Sequence, residues 1–258
     1  MYPILFRIGD FTVTSYGVML VLAFVGAGLV VAAEWRRRGW EPGAAQDIVL
    51  AAMVGGVVGS KLYWALAHWS DLAADPVGTL FSRGGFTYYG GLIGGIVTVV
   101  AWLAWRKYPL ARAVDSCALA VPVGYMLGRI GCLLVGDDYG YPTDVPWAMA
   151  FPEGSPPTID PVHPTQIYEI LLTLPIFLVM WSQRKRPLPD GFLFFELLLL
   201  AGLERFVVEF YRVNVEVALG LTAAQWISLA LAATGLAGIA WVYRRPSVRS
   251  PQSVTERA

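Results

Sequence analysis

Seven apolar runs, each close to the length of a membrane crossing, constrain this chain more than any other feature. They cover about 15–33, 47–67, 86–105, 113–134, 165–182, 191–211 and 222–243. A helix rises about 1.5 Å per residue, so roughly 20 apolar residues span the hydrocarbon core. Composition agrees, with 56% of the residues hydrophobic and 15% charged, where a soluble domain carries roughly 25% charge. Ten Trp and twelve Tyr suit a pair of interfacial belts. The pattern predicts an all-α polytopic membrane protein with about seven transmembrane helices. The run that begins near Ser15 has no basic segment before it and no small-residue cleavage site after it, so it is expected to remain as the first helix.

Charge sets the orientation. Arg36, Arg37 and Arg38 follow the first run, Arg106, Lys107 and Arg112 the third, Arg184, Lys185 and Arg186 the fifth, and Arg244, Arg245, Arg249 and Arg257 the seventh. Thirteen of the nineteen basic residues thus fall on one side, which the positive-inside rule makes cytoplasmic. The N-terminus is then outside. One transmembrane domain is expected over residues 1–245. The loop 136–164 and the N-terminal arm 1–14, a hairpin or interfacial arm, form a small extracytoplasmic head. Residues 246–258 read as a disordered cytoplasmic tail.

Six basic residues escape that rule: Arg7, Lys61, Arg83, Arg129, Arg205 and Arg212, all in the outer half or beyond. A charge near the middle of a membrane helix costs roughly 2.5–3.5 kcal/mol on insertion scales, so it needs a partner or a working cavity. Arg205 and Glu209 are four residues apart on one helical face, with Arg212 following, and simple pairing would lock helix packing. Glu209 alone neutralises only part of Arg129, Arg205 and Arg212. The surplus invites an anion, and the plentiful anion of a membrane is lipid phosphate, which the planar guanidinium fork binds bidentately. Lys61 either snorkels to the interface or joins that phosphate site.

The other motifs carry less. Gly90 and Gly91, in the run from Gly84 to Gly95, permit close helix contact, while Tyr88 and Tyr89 place phenols at the outer mouth. Thr165 is a candidate cap for the fifth helix, with Glu169 in its first turns. Asp137 and Asp138 read as solvated turn residues, and Glu196 as a hydrogen-bonding or packing partner on the inner half. The histidines are His68 and His163. Cys117 and Cys132 share one apolar run, which argues against a disulfide framework. No HExxH, CxxC or P-loop pattern points to a metal or a nucleotide, and a net charge of zero does not point to nucleic acid.

Taken in order, Tyr16-Gly17, the Gly-rich opening of the third run, Gly128-Arg129-Ile130-Gly131, His163-Pro164-Thr165-Gln166-Ile167-Tyr168-Glu169, Arg205-Phe206-Val207-Val208-Glu209-Phe210-Tyr211-Arg212 and Gln225-Trp226-Ile227-Ser228 resemble the bacterial prolipoprotein diacylglyceryl transferase family from about Tyr16 to Ser228. The resemblance implies a multi-pass enzyme of the bacterial inner membrane whose site faces the periplasm. It would move the diacylglyceryl group of phosphatidylglycerol onto the lipobox cysteine of a prolipoprotein, forming a thioether and releasing glycerol phosphate, with no metal or organic cofactor. Its partners would be phosphatidylglycerol, lipobox peptides and membrane lipids. Carried over position by position, Arg129, Arg205, Tyr89 and Glu209 are the catalytic candidates. Tyr16, Lys61, Gly90, Gly91, Gly128, His163, Tyr168, Glu169 and Arg212 are the substrate-binding candidates.

Two positions depart from the family pattern. Tyr89 stands where members commonly carry His before the Gly-Gly pair, and Cys132 where they commonly carry Asn after Gly-Arg-x-Gly. A phenol of pKa about 10 is a poorer base than imidazole at neutral pH. Two other readings stay open: a paralogue with another acceptor, and a non-catalytic phospholipid-binding or transporting protein. The confinement of the unexplained charges to the outer half favours one-sided chemistry over transport.

Overall fold

The computed structural model describes residues 1–9, 11–82 and 84–245. Arg83 and the expected tail 246–258 lie outside the described residues. Every apolar run becomes a helix: α1 (Ser15–Arg37), α2 (Ala44–Ala67), α5 (Tyr88–Trp105), α6 (Leu110–Val135), α7 (Thr165–Gln183), α8 (Phe192–Glu209) and α9 (Ala223–Arg244). Two short helices in the connection after α2 were not expected, α3 (Trp69–Ala74) and α4 (Pro76–Phe81), the second capped by Asp75 accepting from the Gly78 amide. Five helices, α1, α2, α6, α7 and α9, are long and apolar enough to cross a membrane. The chain is a mainly helical, multi-pass membrane protein. α8 is equally long, but Glu196, Glu204, Arg205 and Glu209 interrupt its apolar surface.

The fold is not purely helical. Three antiparallel hairpins pair β1 (Ile4–Ile8) with β2 (Phe11–Thr14), β3 (Met149–Phe151) with β4 (Thr158–Val162), and β5 (Glu216–Ala218) with β6 (Leu221–Thr222). The arm before α1 is thus a hairpin. The hairpins gather at one end of the bundle, here called the head end: the Tyr2 amide donates to the Leu134 carbonyl and the Tyr141 amide to the Tyr211 carbonyl. Gly136 closes α6 in the left-handed conformation (φ 71°), which a side chain would strain. Its turn aims Asp137 and Asp138 back over the helix end.

Helices pair by small residues. α2 packs on α5 through Gly55 and Gly59 against Gly90 and Gly94, so close that a Cβ on Gly90 would collide with the Gly59 carbonyl and with Tyr63. α1 lies on α6, with Tyr16 and Met19 over Gly131. α8 lies on α9, where Gly202 meets the Ser228 carbonyl. At the opposite, basic end, Trp35, Trp40, Trp102 and Tyr108 form one aromatic cluster around a fully buried Trp35. There Asp115 of α6 accepts from the Gly191 and Phe194 amides and so caps α8.

Candidate active site

The head end collects charge contributed by four stretches of chain. Glu169, one turn into α7 and 0% exposed, is the hub. Its Oε2 lies 2.7 Å from Arg129 Nε of α6, its Oε1 accepts from Arg205 Nη1 of α8 at 2.9 Å, and Arg212 Nη1, just beyond α8, stands 3.5 Å away. Asp138 bridges two of the same arginines, accepting from Arg129 Nη1 and from Arg212 Nη2, each at 2.7 Å. Glu209 faces Arg205 Nη2 at 2.7 Å, while its other oxygen accepts from Asn214 Nδ2 and Thr222 Oγ1. Thr222 also caps α9 through a capping box with Gln225, so the start of the last helix is tied to the acid that holds Arg205.

This arrangement corrects three expectations. Sequence reading left the arginines with a cationic surplus, but Glu169, Glu209 and Asp138 match Arg129, Arg205 and Arg212 one for one. Asp138 is more than a solvated turn residue: with φ 62° and a half-exposed side chain, it spans two guanidiniums. Burial alone would push its carboxyl up, but Arg212 and Arg129 overrule that and hold it below the usual carboxylate range. Burial pushes the neighbouring Asp137 carboxyl above that range, opposed by a hydrogen bond with Cys132. Thr165 is not the cap of α7. Pro164 is, and Thr165 Oγ1 donates to the Asp138 carbonyl while Gln166 Nε2 donates to the Asp137 carbonyl.

Tyr16 sits at the start of α1, 41% exposed, over Gly131 and within electrostatic reach of Arg129, Cys132 and Asp137. Arg129 stacks its guanidinium over Tyr125 at 5.0 Å and directs Nη1 at Cys132 Sγ, 3.7 Å away. Cys132, Asp137 and Asp138 hold ligand atoms within 4.8 Å of one another; the Arg129 guanidinium already occupies two of them. His163 Nδ1 is 2.9 Å from Tyr168 OH, which also accepts from Trp147 Nε1, and His163, Tyr168 and Tyr211 form an aromatic triad beside the arginines. A Cβ on Gly128 would meet nothing within 4 Å, so packing gives no reason for a glycine there.

Lys61, Gly90 and Gly91 belong to the α2–α5 pair. Lys61 is 8% exposed and does not snorkel: its ammonium donates to Ser82 O, Ser82 Oγ and Gly84 O at 3.0, 2.6 and 2.6 Å, between the rings of Trp64 and Phe86. All three ammonium protons therefore hold the loop before α5. Gly90 and Gly91 serve the helix contact. Tyr89, in the first turn of α5, is 54% exposed. Glu196 accepts from Gln183 Nε2, as expected of a hydrogen-bonding partner.

Sequence reading missed Asp138 as a bridge, Asn214 and Thr222 as holders of Glu209, and Glu204 entirely. Glu204 is 7% exposed in α8 beside Arg205. A second acid adjacent to an intramembrane arginine was the available signal.

The family model described as prolipoprotein diacylglyceryl transferase matches residues 3–241 of this chain. Relatives named phosphatidylglycerol–prolipoprotein diacylglyceryl transferase are similar over nearly their whole length. That of Geobacter sulfurreducens is 34% identical over 94% of this chain and 96% of its own length. That of Chromohalobacter salexigens is 37% identical over 95% and 93%, and one from Vibrio vulnificus is 36% identical over 94% and 92%.

Proposed function

Because the chain belongs to the prolipoprotein diacylglyceryl transferase family, we propose that it transfers the diacylglyceryl group of phosphatidylglycerol to the lipobox cysteine thiol of prolipoproteins. The acceptor sulfur attacks the glyceryl carbon that bears the phosphate ester. The carbon–oxygen bond breaks, its electrons go to the phosphate oxygen, and the thiol proton leaves with the glycerol phosphate or to water. The observation that carries this reading is the set of three arginines, Arg129, Arg205 and Arg212, converging from separate stretches of chain on one buried carboxylate. Guanidiniums held in place before substrate arrives stabilise charge developing on a leaving phosphate without reorganising.

The roles follow from position. Arg129 and Arg205 face the leaving phosphate, Glu209 orients Arg205, Glu169 fixes the spacing of all three arginines, and Arg212 completes the cluster. Asp138 is the acid an incoming phosphate displaces, since its side chain is 45% exposed whereas those of Glu169 and Glu209 are buried. Tyr16, Gly128, His163 and Tyr168 line the approach. Tyr89, half-exposed in the first turn of α5, hydrogen-bonds substrate. α5 and α8 complete seven crossings of the bacterial inner membrane, with the head in the periplasm and the C-terminus in the cytoplasm. The basic end with Arg36, Arg37, Arg38 and Arg184 supports that orientation.

Purified protein, phosphatidylglycerol vesicles and a lipobox peptide should yield a peptide heavier by one diacylglyceryl group on its cysteine. A folded protein that leaves the peptide mass unchanged, beside a family enzyme that modifies it, would rule the reaction out for this pair of substrates.

A further inference from the structure

Resting on that transferase reading, we infer that Glu204 takes the proton from the acceptor thiol. The proton needs a first acceptor, and the roles assigned above give it none. Among the acids near the arginines, Asp137 also has a buried oxygen without a partner, but its carboxyl is hydrogen-bonded to Cys132. Glu169, Glu209 and Asp138 are each held by at least two donors, and a proton on any of those three would break an ion pair that positions an arginine. Glu204 differs. It is 7% exposed, its Oε1 is buried without a hydrogen-bond partner, and no ion pair engages its carboxylate among the described residues.

An unpartnered carboxyl inside a helical bundle is expensive to keep and contributes nothing to packing, so a purely structural role leaves it unexplained. With Asp137 and Glu204 there are five acids beside three arginines, and Glu204 can gain or lose a proton without breaking any of the ion pairs. Its place suits the step. Glu204 lies one residue further from the head end of α8 than Arg205. A phosphate seated on the arginines directs its esterified glyceryl carbon towards that depth, since the acyl chains below it must reach the bilayer. The charged and titratable groups around Glu204 are Arg129 and Tyr125 on α6, Glu169 on α7, Arg205 on its own helix and Arg212 after it. The described head-end half of α9 brings no titratable side chain.

The step balances. The acceptor S–H proton passes to the Glu204 carboxylate as sulfur bonds to the glyceryl carbon and the phosphate oxygen departs with the electron pair. Glu204 then returns the proton to the released glycerol phosphate or to water at the head end. No other reactant is needed.

The test is the pH profile of transfer by the full-length protein in phosphatidylglycerol vesicles, for the unaltered chain, Glu204→Gln and Glu204→Asp. Glu204→Gln should lower kcat at pH 7 by about 100-fold, within the range of a positioned base, with KM for phosphatidylglycerol unchanged. The deficit should shrink above pH 8.5, the thiol's own pKa of about 8.5, where solvent ionises the acceptor. Glu204→Asp, which keeps the carboxylate, should retain more activity than Gln at pH 7. Glu204→Gln turning over within about threefold of the unaltered chain would overturn the assignment, and so would equal losses in Gln and Asp at every pH, the mark of a structural role. If Gln does not fold, the Asp profile decides: a preserved pH dependence supports the base and a uniform loss overturns it. An unaltered chain that transfers nothing sinks the transferase reading itself, whereas a working chain with an indifferent Glu204 sinks only the base.

Discussion

The two ends of the bundle repeat one motif with different results: a glutamate 0% exposed, surrounded by three arginines. At the basic end Glu34 accepts from Arg37 and Arg38 at 2.5–2.8 Å, with Arg184 3.8 Å away. Arg37 ends the same helix and Arg38 is its C-cap, both within four residues of Glu34. At the head end Glu169 has no partner in its own helix; its arginines come from α6, α8 and the segment after α8. Helix-local pairs can form as soon as the helix does, and they fasten a helix end at the interface. Pairs between separate helices exist only once the bundle has closed, so they place charges at fixed distances from one another. Glu34 alone serves its three arginines, whereas Glu169, Glu209 and Asp138 together pair with those at the head end. An unmatched set of cations therefore marks the basic end, and a matched, cross-linked set marks the candidate site.

The sharpest way to break that contrast is to neutralise each hub. Glu169→Gln leaves buried arginines without their common acid, a change that costs about 3–5 kcal/mol when a buried pair is broken. It should abolish transfer and lower the unfolding temperature measured in detergent. Glu34→Gln removes an equally buried acid, since Arg38 and Arg184 are each 16% exposed, so it should destabilise by a similar amount yet leave turnover near normal. Equal losses of turnover at the two hubs would erase the distinction.

Next in size are the arginines themselves. Arg129→Ala and Arg205→Ala should each reduce transfer at least about 100-fold, the scale of losing a preorganised donor to developing charge, with the protein still folded. Arg37→Ala should stay within about twofold. Unchanged turnover in Arg129→Ala or Arg205→Ala would remove that residue from the site.

Asp138→Asn sharpens the comparison by asking which acid yields to substrate. With the bridge gone, KM for phosphatidylglycerol should fall a few-fold, read from initial rates at varied lipid fraction. The pH sign is set by the depressed carboxyl of Asp138: its stabilisation is complete above the unfolded value of about 3.9 and is lost as pH falls through the lower folded value. The gap in unfolding temperature between the unaltered chain and Asp138→Asn should hold from pH 8 to 5 and narrow as the pH falls below about 4. A gap that does not narrow there would mean that Asp138 does not act through its charge.

The smallest effect is expected at Lys61. Lys61→Met should lower stability by about 1–3 kcal/mol through the loop carbonyls left without donors, while KM for phosphatidylglycerol stays unchanged. A raised KM would return Lys61 to the phosphate site.

Much of this was legible in the chain. The seven apolar runs became the seven long helices because hydrophobic length is a local property, and membrane burial does not depend on which neighbour a helix finds. Arg129, Arg205 and Arg212 stood out for the same reason: a guanidinium in an apolar run is conspicuous whatever it touches. Glu169 was visible as an early-turn acid of its helix and, through the family resemblance, as a substrate-binding candidate, but not as a hub, since its partners lie 36–43 residues away along α8 and beyond, and on the preceding α6. Asp138 was misread because its sequence neighbours, Gly136 and Gly140, are those of an ordinary turn. Lys61 was left between two readings, and the structure chose a third, since no local rule predicts that the loop from Ser82 to Gly84 folds back over α2.

By itself, then, the sequence determined the helices, the unequal charge of their two ends, and which arginines needed an explanation. Each of these depends on composition within one turn or one crossing. Only the tertiary structure decided that the arginines are matched by acids, that Glu169 holds them together, and that Glu204 is left without a partner. Ion pairing in a bundle depends on which helices pack side by side and at what depth, and small-residue contacts such as Gly131 under Tyr16 and Gly202 against Ser228 set that packing. The same Glu–Arg chemistry becomes an anchor when its partners are neighbours in sequence and a candidate catalytic site when folding alone brings them together.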